Sequence, residues 1–348
     1  MNLLVIRNDK IGDFALIWPA LKLLKSSLSN LRITALVSDY VAPLASICPY
    51  IDEVIVDISL DGRHINPKVT PEQSKKFYKI LKAHKFDSSI CFYSTWHNTK
   101  LVNKLKIPHR FAPATKLFQI FHNHRLRQKR SYNLKPEYEY NLDLARYFLG
   151  CVGVSDIQNI EPPYLVLQKN YKEIVLERLG LNSEKPWIFV HVTTGGTAGT
   201  LPSSHIAKLI QNILSDFDVQ LVLTTGPNEG FKAADVVTYL DKKYLDKVFI
   251  YESNYGLVDF VHIISTTSVF IAGSTGPLHI AGLLNIPNIG FFPNFKSSNA
   301  LRWTVCSSEP NRLSISLSSE QGNDFSKLNI DESYIEIQKF IAHHLILN

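Results

Sequence analysis

With 348 residues the chain is too long for one ordinary core and suits two domains of about 150 to 170 residues each. Hydrophobic residues at 45% and charged residues at 20% exclude a disordered chain, and no run reaches the ~18 consecutive apolar residues of a membrane-spanning helix. A net charge of +6 suits a phosphate-bearing ligand or an anionic membrane surface and falls short of a nucleic-acid-binding signature.

"LLVIR" (3–7) reads as a first strand, followed by a polar turn with Asp9, Lys10, Gly12 and Asp13. Those charges also interrupt what would have to be the apolar core of a signal peptide, so the chain is expected to stay in the cytoplasm. A helix is expected from about Asp13, with Leu16, Ile17, Ala20, Leu21 and Leu24 on one face. "RITALVS" (32–38), "EVIVDI" (53–58) and "SSICFYS" (88–94) read as further strands. Residues 71–85 form an amphipathic helix capped by Thr70 with Pro71 at its first position, and 99–107 a short helix. In 116–130, Lys116, Arg125, Arg127, Lys129 and Arg130 interleave with apolar residues. The pattern predicts a basic amphipathic helix. It fits an anionic membrane surface or lipid acceptor about as well as a solvated face over the core.

After a connection over 155–185, five more strands are expected at 187–192, 219–225, 247–252, 267–273 and 288–292. Helices at 203–215, 229–240, 256–265 and 277–285 fill the gaps, and the last 18 residues make one more. Strands alternating with helices define an α/β chain with parallel sheets. Two such sheets in tandem bind a ligand in the crevice beyond their strands' carboxyl ends. Cys48, Cys91, Cys151 and Cys306 show neither CxxC nor zinc spacing, which predicts buried thiols and no metal site.

Four turns carry residues that could do chemistry. Asp13 either caps its helix or, at the carboxyl end of strand one, serves as a general base, with Gly12 easing the turn. Asp9 and Lys10 read as solvated turn residues. In "AGSTGPLHIAGLL" (272–284), Ser274, Thr275, Gly276 and Pro277 open a helix whose free N–H groups suit a phosphate. His279 either contacts substrate or makes a structural bond. "VTTGGTAGT" (192–200), with Thr193, Thr194 and Gly195, and "TTGPNEG" (224–230) end two neighbouring strands with the same chemistry. Together they predict a floor of donors for a nucleoside diphosphate, and Glu229 a carboxylate for ribose hydroxyls.

The opening "LLVIRNDKIGDFALIWPALKLLK", the "GPNE" turn and "GSTGPLHIAGLLNIPNIGFF" together resemble glycosyltransferase family nine, the bacterial lipopolysaccharide heptosyltransferases. The resemblance implies a GT-B fold of two Rossmann-like domains facing across a cleft, here 1–165 for the acceptor and 166–330 for the donor. A final helix, 331–348, would cross back to the first domain. It implies metal-independent, inverting transfer of a heptose from an ADP-linked donor, with no cofactor. The acceptor would be a lipid-linked glycan at the cytoplasmic face of the inner membrane. By the same resemblance, Asp13 is the general base and Glu229 holds the donor ribose. Thr275 and Gly276 match the pyrophosphate turn. The donor set is Thr193, Thr194, Gly195, Glu229, Ser274, Thr275, Gly276, Pro277 and His279. The acceptor set is Lys10, Gly12, Arg125 and Arg127.

Two departures stand out. Ser274 occupies a position where many members carry aspartate. "TAGTLP" (197–202) lacks the cation and the tryptophan that often precede the proline, and Lys208, Lys232 and Lys296 are the candidates to replace that charge. A non-catalytic nucleotide-sugar binder and a GT-B epimerase stay open as other readings. A dinucleotide oxidoreductase is disfavoured, because no GxGxxG follows the first strand.

Overall fold

The computed structural model describes residues 1–61, 64–167, 171–194, 199–295 and 297–346. The chain divides into two compact units, Met1–Tyr164 and Leu165–Asn348.

The first unit begins β1 (Asn2–Ile6), α1 (Ile11–Ala15), α2 (Trp18–Ser27), β2 (Arg32–Val37), α3 (Ala42–Ser46) and β3 (Glu53–Val56). A small hairpin, β4 (Leu60–Asp61) with β5 (His64–Ile65), precedes α4 (Pro71–Ala83), β6 (Ser88–Cys91) and α5 (Trp96–Lys104). The unit closes with β7 (His109–Pro113), β8 (His124–Leu126) and α6 (Glu137–Cys151). Its sheet runs β3-β2-β1-β6-β7-β8 with every neighbouring pair parallel. In order of appearance that is 3-2-1-4-5-6, the dinucleotide-fold order, with the switch point between β1 and β6.

The single helix expected from Asp13 is two. Pro19 lacks an N–H and crowds the carbonyl four residues back, so α1 stops at Ala15 and α2 restarts at Trp18. The helix expected over 71–85 ends at Ala83; its start follows the sequence, with Thr70 and Gln73 forming a reciprocal capping box.

Residues 116–130 are not an amphipathic helix. Leu117–Phe121 make one 3-10 turn, and His124–Leu126 become the edge strand β8 against β7. The buried Gln119 accepts from the backbone N–H of Thr115 and Lys116, and Asn123 ties Arg110 N to Pro108 O. Strand pairing and these side-chain clamps outweigh helix propensity. Arg125 and Arg127 then alternate outward with Leu126 and the buried Gln128.

The second unit holds α7 (Lys172–Leu179), β9 (Trp187–His191), α8 (Ser203–Asp216), β10 (Gln220–Thr225), α9 (Gly230–Thr238) and β11 (Val248–Glu252). It continues with α10 (Leu257–Ile264), β12 (Val269–Gly273), α11 (Gly276–Leu283) and β13 (Asn288–Phe292). It closes with α12 (Ala300–Trp303), β14 (Arg312–Ser316) and α13 (Ile330–Ile346). The parallel sheet β11-β10-β9-β12-β13-β14 repeats the order of the first. Its inner strands β9, β10 and β13 are buried along their whole length because both faces are covered.

The described packing of α13 is on α8 and β14 of its own unit, because Ile337 and Ile341 are fully buried in that core. Tyr334 Oη donates to Asp216 Oδ2 at 2.9 Å and pins the same face. Cys48, Cys91 and Cys306 are buried as expected, whereas Cys151, the last residue of α6, is exposed.

Candidate active site

In the first unit the chain leaves β1 at Ile6 and enters a buried ionic cluster. Arg7 is only 3% exposed; its Nε donates to Asp9 Oδ1 at 2.7 Å, its Nη2 to Asp13 Oδ1 and its Nη1 to Phe92 O at 3.3 Å. Burial works against the charge on Arg7, but Asp9 and Asp13 outweigh it and hold the guanidinium above the ordinary arginine range. Burial pushes the Asp9 carboxyl up, and Asp13 adds to the rise while Arg7 opposes it. Asp9 is therefore no solvated turn residue: it is 2% exposed and its carbonyl accepts from Tyr40 Oη and Ser38 Oγ. Lys10 is half-buried and occupies the N-cap position of α1. Gly12 lies within α1 and not in the turn. Asp13 sits in the first turn of α1, where the peptide dipoles favour a carboxylate, with its side chain 12% exposed.

A second polar network, missed in the sequence, joins the carboxyl ends of β1, β3 and β6. Asn8 Nδ2 donates to Asp57 Oδ2 at 2.9 Å, and Asn8 and Asn98 exchange amide bonds at 2.8 and 3.0 Å. His97 Nε2 meets the same fully buried Asp57 carboxylate at 3.2 Å. The available signal was a polar residue within two positions of the ends of β1 and β3, Asn8 and Asp57, whereas His97 and Asn98 lie in α5. Arg125, on the edge strand β8, and Arg127, just past its end, stand apart from this corner and are both exposed. Trp96, Leu117, Ile120 and Phe121 are exposed nearby in the chain, with Lys100 over the Trp96 ring and Lys116 over that of Phe118.

In the second unit the turn after β9 carries no charged residue. Thr193, 3% exposed, is fixed by His191, whose Nε2 lies 3.2 Å from Thr193 Oγ1 and whose Nδ1 lies 3.0 Å from Thr224 Oγ1. Burial pushes the His191 imidazole down to about 4, so it is a neutral bridge between two hydroxyls. Sequence reading passed over it as the last residue of an apolar strand. Thr194 Oγ1 meets Thr200 Oγ1 at 2.8 Å. Gly195 lies outside the described residues, as do 196–198 and Lys296.

Glu229 precedes α9, and its carboxylate folds back over Gly226, where a Cβ would stand 2.7 Å from Glu229 Oε2. Burial favours a higher pKa for Glu229, but hydrogen bonds from Lys232 and Thr193 hold it below the ordinary range. Lys232 Nζ is 2.6 Å from Glu229 Oε1. A cavity of about 460 Å³ is lined by Thr193, Thr194, Thr200, Ser203, Lys232 and Asp235, among others.

At the end of β12, Ser274 N donates to Phe291 O at 3.0 Å, and Thr275 takes the N-cap position of α11 with Pro277 in the first turn. Thr275 Oγ1 is buried with no hydrogen-bond partner among the described residues, a donor held ready at a helix start. Gly276 and Pro277 are half-buried. His279 is 3% exposed, with its ring edge-on to Trp303. Among the described residues no group of three His, Cys, Asp or Glu is placed to hold a metal ion. None of the described helices is long and apolar enough to cross a membrane.

Two parallel sheets of this order in tandem are the architecture of the GT-B fold. Comparison with known proteins gives the same class. The family model "Glycosyltransferase family 9 (heptosyltransferase)" matches residues 74–335. A Haemophilus influenzae protein described as a glycosyltransferase is 42% identical over 98% of this chain and 97% of its own length. The lipopolysaccharide heptosyltransferase 1 of Campylobacter coli is 22% identical over 48% of this chain and 52% of its own. The Escherichia coli ADP-heptose lipopolysaccharide heptosyltransferase II superposes over 99% of both chains with a TM-score of 0.77 at 17% identity. The E. coli heptosyltransferase WaaC with ADP does so over 98% of this chain and 100% of its own, with a TM-score of 0.75 at 16% identity. The chain belongs to glycosyltransferase family 9 and is a glycosyltransferase.

Proposed function

We propose that the protein moves a heptose from ADP-heptose onto a lipopolysaccharide core or related lipid-linked glycan, with inversion and without a metal. The observation that carries this reading is the Asp13 carboxylate, held by Arg7 at the first turn of α1 just beyond the carboxyl end of β1. Asp13 takes the proton from the acceptor hydroxyl as that oxygen attacks the anomeric carbon. The bond from that carbon to the diphosphate oxygen breaks, and ADP leaves. The leaving diphosphate meets the N–H and hydroxyl dipoles of Thr275, Gly276, Thr193 and Thr194. Glu229 accepts from the ribose hydroxyls. Lys10, Gly12, Arg125 and Arg127 are assigned to the acceptor.

Leu117, Ile120, Phe121 and Trp96, fringed by Lys100 and Lys116, suit contact with the anionic leaflet that would carry such an acceptor. Calorimetric titration with ADP, and with UDP as comparator, tests the donor. ADP is expected to bind preferentially, and Glu229→Ala to weaken it about tenfold. Preference for UDP would replace the donor class. Sedimentation with phosphatidylglycerol vesicles tests the surface, and binding that survives replacement of Leu117, Ile120 and Phe121 by serine would remove it.

A further inference from the structure

A diphosphate leaving group brings two to three negative charges, and uncharged dipoles alone stabilise it less than dipoles with a cation beside them. The turn after β9 carries no basic residue: "VTTGGTAGTLP" (192–202) is neutral throughout. Among the described residues that line the cavity, Lys232 is the cation. It projects from the first turn of α9 onto the wall of the 460 Å³ cavity, alongside Thr193, Thr194 and Thr200. Its ammonium is 2.6 Å from Glu229 and its side chain is 40% exposed, so it is neither sequestered in the core nor free in solvent. The same Glu229 also hydrogen-bonds Thr193. Lys208, by contrast, pairs with Asp331 at 3.4 Å near the start of α13.

We propose that Lys232 is the residue that neutralises the diphosphate of the donor, in place of a cation on the turn after β9. This rests on the donor reading above. In the unliganded protein Glu229 holds the ammonium at the cavity wall. When ribose hydroxyls donate to Glu229, the carboxylate no longer needs all of the ammonium's three donors, and the remainder point to the phosphate oxygens. The pairing has a chemical logic. The residue that recognises the sugar also stations the charge that recognises the phosphates, so a nucleoside without phosphates gains nothing from Lys232.

The test is titration of the full chain with ADP and with adenosine, for the wild type, Lys232→Met and Lys232→Arg. Lys232→Met is expected to weaken ADP about ten- to hundredfold and adenosine less than about twofold, and Lys232→Arg to restore most of the ADP affinity. ADP binding unchanged in Lys232→Met would overturn the assignment. Equal weakening of ADP and adenosine would also overturn it, because Lys232 would then act only by orienting Glu229. If the wild type bound neither ADP nor UDP, the donor reading itself would fall and Lys232 with it. Thermal unfolding of each variant checks the fold, which a partly exposed side chain is not expected to disturb.

Discussion

The corner after β1 and the corner after β9 occupy the same place in two sheets of identical strand order, yet one is ionic and the other neutral. After β1, Arg7 is clasped by Asp9 and Asp13 out of water. After β9, a neutral histidine links two threonine hydroxyls. The order 3-2-1-4-5-6 sets where the strand ends converge but not what they carry. A base that must accept a proton needs a carboxylate whose charge is partly balanced. A site for a diphosphate needs donors and must keep carboxylates out of the phosphate position. In the donor reading proposed above, Glu229 folds back over Gly226 and holds Lys232.

The comparison can be broken most severely at Arg7. Arg7→Met removes the guanidinium that pairs with Asp9 and Asp13, and about 3–5 kcal/mol should be lost from the first unit alone. Hydrogen exchange on β1 and β6 would show it. The double variant with Asp9→Asn should recover part of the loss; equal losses in single and double variants would mean that the pairing is not what stabilises the corner.

Next comes a shared weakness to acid. His122 in the first unit and His191 in the second both have pKa values lowered to about 4, each with burial as the main cause. Below the ordinary histidine value of about 6.5 the unfolded chain binds protons that the folded chain refuses. Stability is therefore complete above that value and falls as pH drops toward 4, by up to about 3 kcal/mol per histidine. Melting followed from pH 7 to 4.5 measures the slope. His191→Gln should flatten it in the second unit only, and an unchanged slope would refute the buried neutral state.

A smaller effect is expected at Gly226. Gly226→Ala pushes the Glu229 carboxylate off its perch, and ADP affinity should fall about tenfold with little change in stability. Unchanged affinity would show that the folded-back carboxylate is not the binding form.

Much of this was legible in the sequence, for a physical reason. Strands of a covered parallel sheet are continuous apolar runs, so 187–192, 219–225 and 288–292 stood out, and the structure trims them by a residue at most. Of the four edge strands, β3 and β11 were read and β8 and β14 were not. Arg312–Ser316 buries one residue well, and His124–Leu126 alternates basic with apolar, which read as a helix. The helix-start positions of Asp13, Glu229 and Thr275 could be read because helix starts have a local grammar. Arg7 and Asp9 could not, since their pairing depends on burial and not on spacing. His191 was hidden because a histidine ending an apolar strand shows its partners only once Thr224 is beside it on β10.

The most direct test of this division of labour is one assay on Asp13→Asn, with ADP-heptose and a heptose-deficient lipopolysaccharide core as acceptor, alongside ADP titration of the same sample. ADP affinity should match the wild type while transfer falls by about a hundredfold or more. Transfer at the wild-type rate would contradict the assignment of the base to the ionic corner of the first unit.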